Sequence, residues 1–161
     1  MAELTIGKAV PDFEAAATGD KVIKLSALNG KNIIIYFYPK DSTPGCTREG
    51  QEFRDNHNKF KRQKCLIFGV SRDSLKSHEN FRAKQGFTFD LLSDKDEKLC
   101  ELFAVIKLKN MYGKKVRGIE RSTFLIDADG ILQHEWRGVK VDGHVVAVLE
   151  RAKALNKQKP I

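Results

Sequence analysis

Three cysteines, Cys46, Cys65 and Cys100, are the residues of this chain best suited to covalent chemistry. A thiolate attacks electrophilic oxygen or sulfur without help from a cofactor. The surroundings of the three differ. Cys46 stands in Pro39-Lys40-Asp41-Ser42-Thr43-Pro44-Gly45-Cys46-Thr47, just past an apolar run that ends at Tyr38. Thr43 is a favoured N-cap and Pro44 a favoured first helical residue, so Cys46 falls in a first helical turn. The N–H groups of a first turn lack intrahelical partners, and the positive end of the helix dipole favours an anion, here a thiolate. Thr43 can also turn its hydroxyl toward the sulfur or toward a bound oxygen. Cys65 opens the apolar run Cys65-Leu66-Ile67-Phe68-Gly69-Val70, and Cys100 lies beside Phe103 and Ala104 in a helical pattern. Both read as packing residues. No two cysteines have zinc or C-x-x-C spacing, and an odd, scattered set is not a disulfide framework.

Other chemistries leave no trace. His57, His78, His134 and His144 do not have metal-ligand spacing, and His57 falls on an apolar helix side, as a core residue would. There is no nucleophile elbow and no Gly-rich phosphate loop. No metal, haem or flavin is called for, because sulfur does the chemistry itself.

The elements that must position Cys46 follow from the apolar pattern. Residues 32–38 are apolar on both faces, as a central strand covered on both sides would be, and 65–70 read the same way. Between them Cys46, Gly50, Phe53, His57 and Phe60 share one side of a single helix. Strand, helix and buried strand make a βαβ unit, whose strands should be parallel. A second helix runs from about Ser74 to Gln85 and stops at Gly86. A third starts at Asp94, where Asp94 and Glu97 resemble a capping box and Leu99, Leu102 and Phe103 supply an apolar face. Ser122–Ile126 and Ile131–Trp136 flank Asp127-Ala128-Asp129-Gly130, a hairpin signal. A last helix presents Val145, Val148, Leu149, Ala152 and Leu155 on one side, and residues 156–161 read as a loose basic tail. The expectation is one domain over residues 1–161. Its fold class is α/β: a thioredoxin-like fold with a central mixed sheet flanked by helices and an N-terminal β extension.

Charge and composition bound the partners. The 161 residues carry 29 Lys and Arg against 21 Asp and Glu, a net charge of +8. That balance raises a nucleic-acid-binding or basic redox-sensing alternative. However, the basic clusters at 59–64, 107–117 and 151–159 are dispersed over a helix end, a loop and the tail, as solvated faces would be. Nucleic acid is therefore not the expected partner. The longest apolar run is too short for a bilayer, and the N-terminus lacks a signal-peptide layout, so the expected compartment is cytoplasmic, with no membrane partner.

Pro39-x-x-x-Thr43-x-x-Cys46 resembles the active-site motif of the peroxiredoxins. The stretch from Tyr38 to Glu49 is similar to the peroxiredoxin Q branch, also called bacterioferritin comigratory protein. So are Gly69-Val70-Ser71-x-Asp73-Ser74, Phe89-x-Leu91-Leu92-Ser93-Asp94, Tyr112-Gly113-Lys114 and Gly118-Ile119-x-Arg121-Ser122-Thr123-Phe124-Leu125-Ile126-Asp127. The resemblance runs from about Leu4 to Leu155. It implies a thiol-dependent peroxidase that reduces hydrogen peroxide and organic hydroperoxides, an antioxidant enzyme, often a monomer. Cys46 would be the peroxidatic nucleophile and pass through a sulfenic acid. Thr43 would hydrogen-bond sulfur and peroxide, Arg121 would stabilise the thiolate and the developing charge, and Pro39 would shield the thiolate from water. The segment 107–114 would lie near the active-site mouth, with Met111 and Tyr112 walling a pocket for organic peroxides.

One departure stands out. In much of this branch a resolving cysteine sits five residues after the peroxidatic one, which is Gln51 here, or on the next helix, at the position of Arg82. Both places lack a thiol. The expected cycle therefore uses one cysteine and an external reductant, thioredoxin or glutaredoxin with glutathione. Cys100 as a resolving thiol, or pairing of two chains through Cys46, is the competing expectation.

Overall fold

The computed structural model describes residues 4–158. The chain begins with the hairpin β1 (Glu14–Ala17) and β2 (Lys21–Lys24), followed by a 3-10 turn at Leu25–Leu28. β3 (Asn32–Phe37) leads into α1 (Pro44–Asp55) and α2 (His57–Arg62), then β4 (Cys65–Ser71), α3 (Leu75–Gln85) and β5 (Asp90–Ser93). α4 (Lys98–Leu102) precedes a hairpin, β6 (Ile106–Met111) and β7 (Lys114–Ile119). β8 (Ser122–Ile126), β9 (Leu132–Arg137) and α5 (His144–Gln158) complete it. The main sheet has the order β2-β1-β5-β4-β3-β8-β9. β3, β4 and β5 are parallel, while β8, β9, β1 and β2 run antiparallel to their neighbours. This is the mixed sheet, βαβ unit and N-terminal β extension of the expected thioredoxin-like fold.

Alternation along β3 explains the two cores. All six of its residues are buried. Ile34 and Tyr36 join the cluster with Cys46, Phe53, Phe60, Phe81 and the apolar side of α5, whereas Ile33, Ile35 and Phe37 join Leu99, Cys100, Phe103 and Leu132. Thus α1, α2, α3 and α5 cover one face of the sheet and α4 the other. Ser74 caps α3 by accepting from the N–H of Ser77, and Gly86 ends it in the left-handed conformation, as the sequence indicates.

Four expectations are corrected. The helix carrying Cys46 breaks at Asn56, whose side chain donates to the carbonyl of Glu52, although His57 and Phe60 stay buried beyond the break. The third helix starts at Lys98. Glu97 sits before it in the left-handed region, and Asp94 reaches forward to accept from the N–H groups of Leu99 and Cys100. The basic stretch 107–117 is the β6–β7 hairpin, paired only within itself among the described residues. Residues 156–158, read as tail, continue α5, and 159–161 lie outside the described residues.

Gly50 sets how closely α1 approaches Phe87. A Cβ there would overlap Cζ of Phe87 and stand 2.9 Å and 3.0 Å from Cε1 and Cε2. Phe87 is itself wedged edge-on against Phe81 and stacked on Phe89. Alanine is the better helix former by about 1 kcal/mol, but overpacking a filled core costs about 1–3 kcal/mol. Gly50→Ala is therefore expected to lower the urea midpoint, by about 1 kcal/mol in stability. An unchanged or higher midpoint would show that the Phe87 ring yields freely.

Candidate active site

α1 begins where the sequence places it. Thr43 is the N-cap, in extended conformation (φ −81°, ψ 153°), and Pro44 opens the helix, so Cys46 lies in the first turn at the end of β3. Cys46 is only 2% exposed and packs in the same cluster as Tyr36, Tyr38 and Phe53. The Thr43 side chain does not cap the helix; its hydroxyl donates to the carbonyl of Lys40 at 2.8 Å. With its proton committed there, Thr43 can offer a bound oxygen only lone pairs, which suits a hydroperoxide O–H donor. Pro39 is exposed.

Arg121, between β7 and β8, reaches the sulfur from the start of β8, the strand paired with β3. Its Nη2 donates to Sγ of Cys46 at 3.3 Å, and its Nη1 donates to Oε1 of Glu49 at 2.6 Å. Gly45 makes room for it: a Cβ at Gly45 would stand 3.2 Å from Arg121 Nη2. A fixed cation on sulfur at a helix N-terminus stabilises a thiolate and any negative charge that forms beside it. Tyr112 is 99% exposed at the hairpin tip, and the Met111 side chain lies outside the described residues.

Glu49 is the functional neighbour that sequence reasoning missed. It follows Cys46 by one turn on the buried side of α1 and is fully buried. A carboxylate on an apolar helix side, one turn from a reactive cysteine, was the available signal. Its Oε2 finds no hydrogen-bond partner among the described residues and stands 4.0 Å from His144 Nε2. His144 is 2.8 Å from Thr123 Oγ1, and burial lowers it to about 4, so it is neutral at pH 7. Burial raises Glu49 to about 7 in spite of Arg121. A carboxyl raised in the folded state costs nothing below its unfolded value. Above that value, stability falls with pH until the folded value is passed. Glu49→Gln should therefore match the parent near pH 4 and exceed it progressively between about 4.5 and 7. The plateau above pH 7 should be about 3 kcal/mol higher, read from urea midpoints. A gap independent of pH would show that Glu49 ionises normally in the fold.

A profile of the AhpC/TSA family matches residues 6–135. The chain belongs to that family, the peroxiredoxins. It is 54% identical to the peroxiredoxin Bcp of Xanthomonas campestris, over 98% of each chain. It is 47% identical to the peroxiredoxin Bcp of Bacillus subtilis, over 96% of this chain and 99% of the relative. A solved structure of X. campestris peroxiredoxin Q superposes with a TM-score of 0.89 at 53% identity, covering 95% of this chain and 97% of that one. The branch is thus Bcp/peroxiredoxin Q, as the motifs indicate, and the enzyme is a thiol peroxidase.

In this peroxiredoxin Gln51 and Arg82, the places where the resemblance points to a resolving cysteine, make polar contacts. Gln51 Nε2 donates to Gln85 Oε1 at 2.8 Å, and Arg82 Nε donates to the carbonyl of Phe89 at 2.9 Å. Cys100 is buried in the cluster on the opposite face of the sheet from Cys46. Burial, reinforced by Asp94, pushes its thiol well above the ordinary range, and burial pushes Cys65 up to about 12. Neither is a ready nucleophile. No described helix is long and apolar enough to cross a membrane.

Proposed function

We propose that Cys46 is the peroxidatic nucleophile of a one-cysteine cycle that reduces hydrogen peroxide and organic hydroperoxides. The observation that carries this reading is the Arg121 contact to the Cys46 sulfur in a first helical turn. The thiolate attacks the terminal peroxide oxygen, the O–O bond breaks, and the leaving oxygen takes a proton and departs as water or alcohol. Arg121 and the helix N-terminus stabilise the charge on sulfur and oxygen, and Thr43 accepts the hydroperoxide proton's hydrogen bond. Pro39 shapes the loop outside the sulfur. The bacterioferritin comigratory protein of X. campestris, 52% identical to this chain in a solved ligand complex, has alkyl peroxide reduction activity. That likeness supports alkyl hydroperoxides as substrates here.

The resulting sulfenic acid condenses with an external thiol, releasing water. A second thiol then regenerates Cys46 and leaves as a disulfide. Thioredoxin, or glutaredoxin with glutathione, supplies these thiols. The absence of a thiol at Gln51 and Arg82, and the sheet between Cys46 and Cys100, favour this cycle over internal resolution. The enzyme acts as a monomer of one domain in the cytoplasm, where its three free cysteines stay reduced.

Treatment with one equivalent of peroxide, followed by mass spectrometry without reductant, tests the cycle. The expected product is sulfenic acid on Cys46 that becomes a mixed disulfide when glutathione is added. A Cys46–Cys100 bond, or a dimer through Cys46, formed before any thiol is added would overturn it.

A further inference from the structure

The segment between β3 and α1, residues 38–43, decides where α1 starts and where Thr43 points, and it is held mainly through Asp41. Asp41 is buried. Its Oδ1 accepts from Tyr38 Oη at 2.6 Å, and its Oδ2 accepts from Ser77 Oγ at 2.7 Å. Oδ2 is also 2.8 Å from Nδ1 of His78 on α3. The backbone N–H of Asp41 donates to Asp73 Oδ2 at 2.9 Å. The next residue, Ser42, has φ +64°, a left-handed conformation that L side chains rarely adopt. A strained turn therefore sits between a dense anchor and the N-cap of the catalytic helix.

His78 is fully buried and has acceptors on both sides. Its Nε2 is 2.8 Å from the carbonyl of Leu92, which can only accept, so Nε2 carries a hydrogen. Burial opposes ionisation of Asp41, but the hydrogen bonds from His78 and Tyr38 outweigh it and hold the carboxyl below its usual range. The Asp41 carboxylate also only accepts, and it takes hydrogen bonds from Tyr38 and Ser77 beside its contact with His78. A buried polar pair of this kind is weak evidence for net stability, and registry is its best-attested use.

We propose that the Asp41–His78 pair is a positioning device for the peroxidatic loop: His78 on α3 fixes the Asp41–Ser42 turn, and so the Thr43 hydroxyl and the start of α1, without touching the reacting atoms. The proposal rests on Cys46 being the nucleophile. It goes beyond that reading in assigning a rate-setting role to two residues outside the motif of Pro39, Thr43, Cys46 and Arg121.

The test compares two reactions of the same sulfur. Iodoacetamide reads thiolate content and access, whereas hydrogen peroxide also requires oriented partners. His78→Gln places its amide where Nε2 was and abandons Asp41; His78→Asn keeps a donor near Nδ1. In single-turnover measurements, His78→Gln should slow peroxide attack by about 10–100-fold, the scale of a misplaced catalytic geometry. Its alkylation by iodoacetamide should change by less than about threefold, and His78→Asn should recover most of the peroxide rate. Peroxide rates within about twofold of the parent in His78→Gln, or peroxide and alkylation rates falling together, would overturn the proposal. If His78→Gln does not fold, Ser77→Ala and Tyr38→Phe each remove one bond from Asp41. Selective slowing toward peroxide in both supports the proposal, and unchanged rates in both overturn it. Failure of the Cys46 reading would show separately, as turnover surviving in Cys46→Ser.

Discussion

Cys46→Ser is expected to lower peroxide consumption to the uncatalysed rate at neutral pH while leaving the fold intact. Serine is close in size to cysteine, so the buried site changes little in volume. The serine hydroxyl has neither the acidity nor the nucleophilicity of a thiol, so Arg121 and the helix N-terminus then have no thiolate to act on. The other two cysteines cannot take over. With Cys65 pushed up to about 12 by burial, roughly one molecule in 100,000 carries its thiolate at pH 7. Cys100 is buried behind the sheet with the Asp94 carboxylate against it, which disfavours its thiolate further. Peroxide loss measured with a thiol reductant, beside a thermal melt, checks both halves of the prediction. Residual turnover above about one hundredth of the parent would locate a second reactive sulfur, against the thiolate fractions expected from burial.

The elements that the sequence announces are those whose signal is local and complete. β3 and β4 are apolar on both faces because helices cover both faces of the sheet there. α1 carries its own start signal in Thr43-Pro44, and α5 shows its buried side at Val145, Val148, Leu149, Ala152 and Leu155. The break at Asn56 is silent because His57 and Phe60 preserve the apolar spacing across it. The β6–β7 hairpin is silent for the opposite reason. Among the described residues its strands pair only with each other, and beyond the buried base at Ile119 the apolar Leu108 and Val116 stay exposed, so no alternation of apolar and polar residues is required. At α4 the pattern misleads: Asp94 does serve helix N–H groups, but from outside the helix, with Glu97 turned left-handed between.

The site divides along the same line. Cys46 is legible from helix-terminus physics alone. Arg121 is legible only through the resemblance, because it lies 75 positions from the sulfur it contacts and nothing near it in the chain asks for a cation. Glu49 shows in the sequence as a carboxyl on the apolar side of α1, but its partner does not, because Arg121, whose charge lets a carboxyl sit at zero exposure, lies 72 positions away. Residue type points the Thr43 hydroxyl at the sulfur or a bound oxygen, yet its proton goes to Lys40, a choice made by loop geometry that no residue type encodes.

Arg121→Gln is expected to slow peroxide attack on Cys46 by about 10²–10³-fold, the scale seen when a preorganised donor to a developing anion is removed. Two bonds are lost together, the one to Sγ at 3.3 Å and the one to Glu49 at 2.6 Å. The second loss matters for interpretation. Without its cation, the buried Glu49 rises above about 7 and is protonated at neutral pH, so the variant avoids an unpaired buried charge. Its stability at pH 7 should therefore fall much less than the breaking of a buried pair ordinarily costs, about 3–5 kcal/mol. Adding Glu49→Gln to Arg121→Gln should then remove the remaining pH dependence of stability without restoring the rate. Stopped-flow oxidation and urea midpoints between pH 5 and 8 separate the two effects. A rate loss under about tenfold would mean that the helix N-terminus alone carries the thiolate, and that Arg121 serves chiefly to neutralise Glu49.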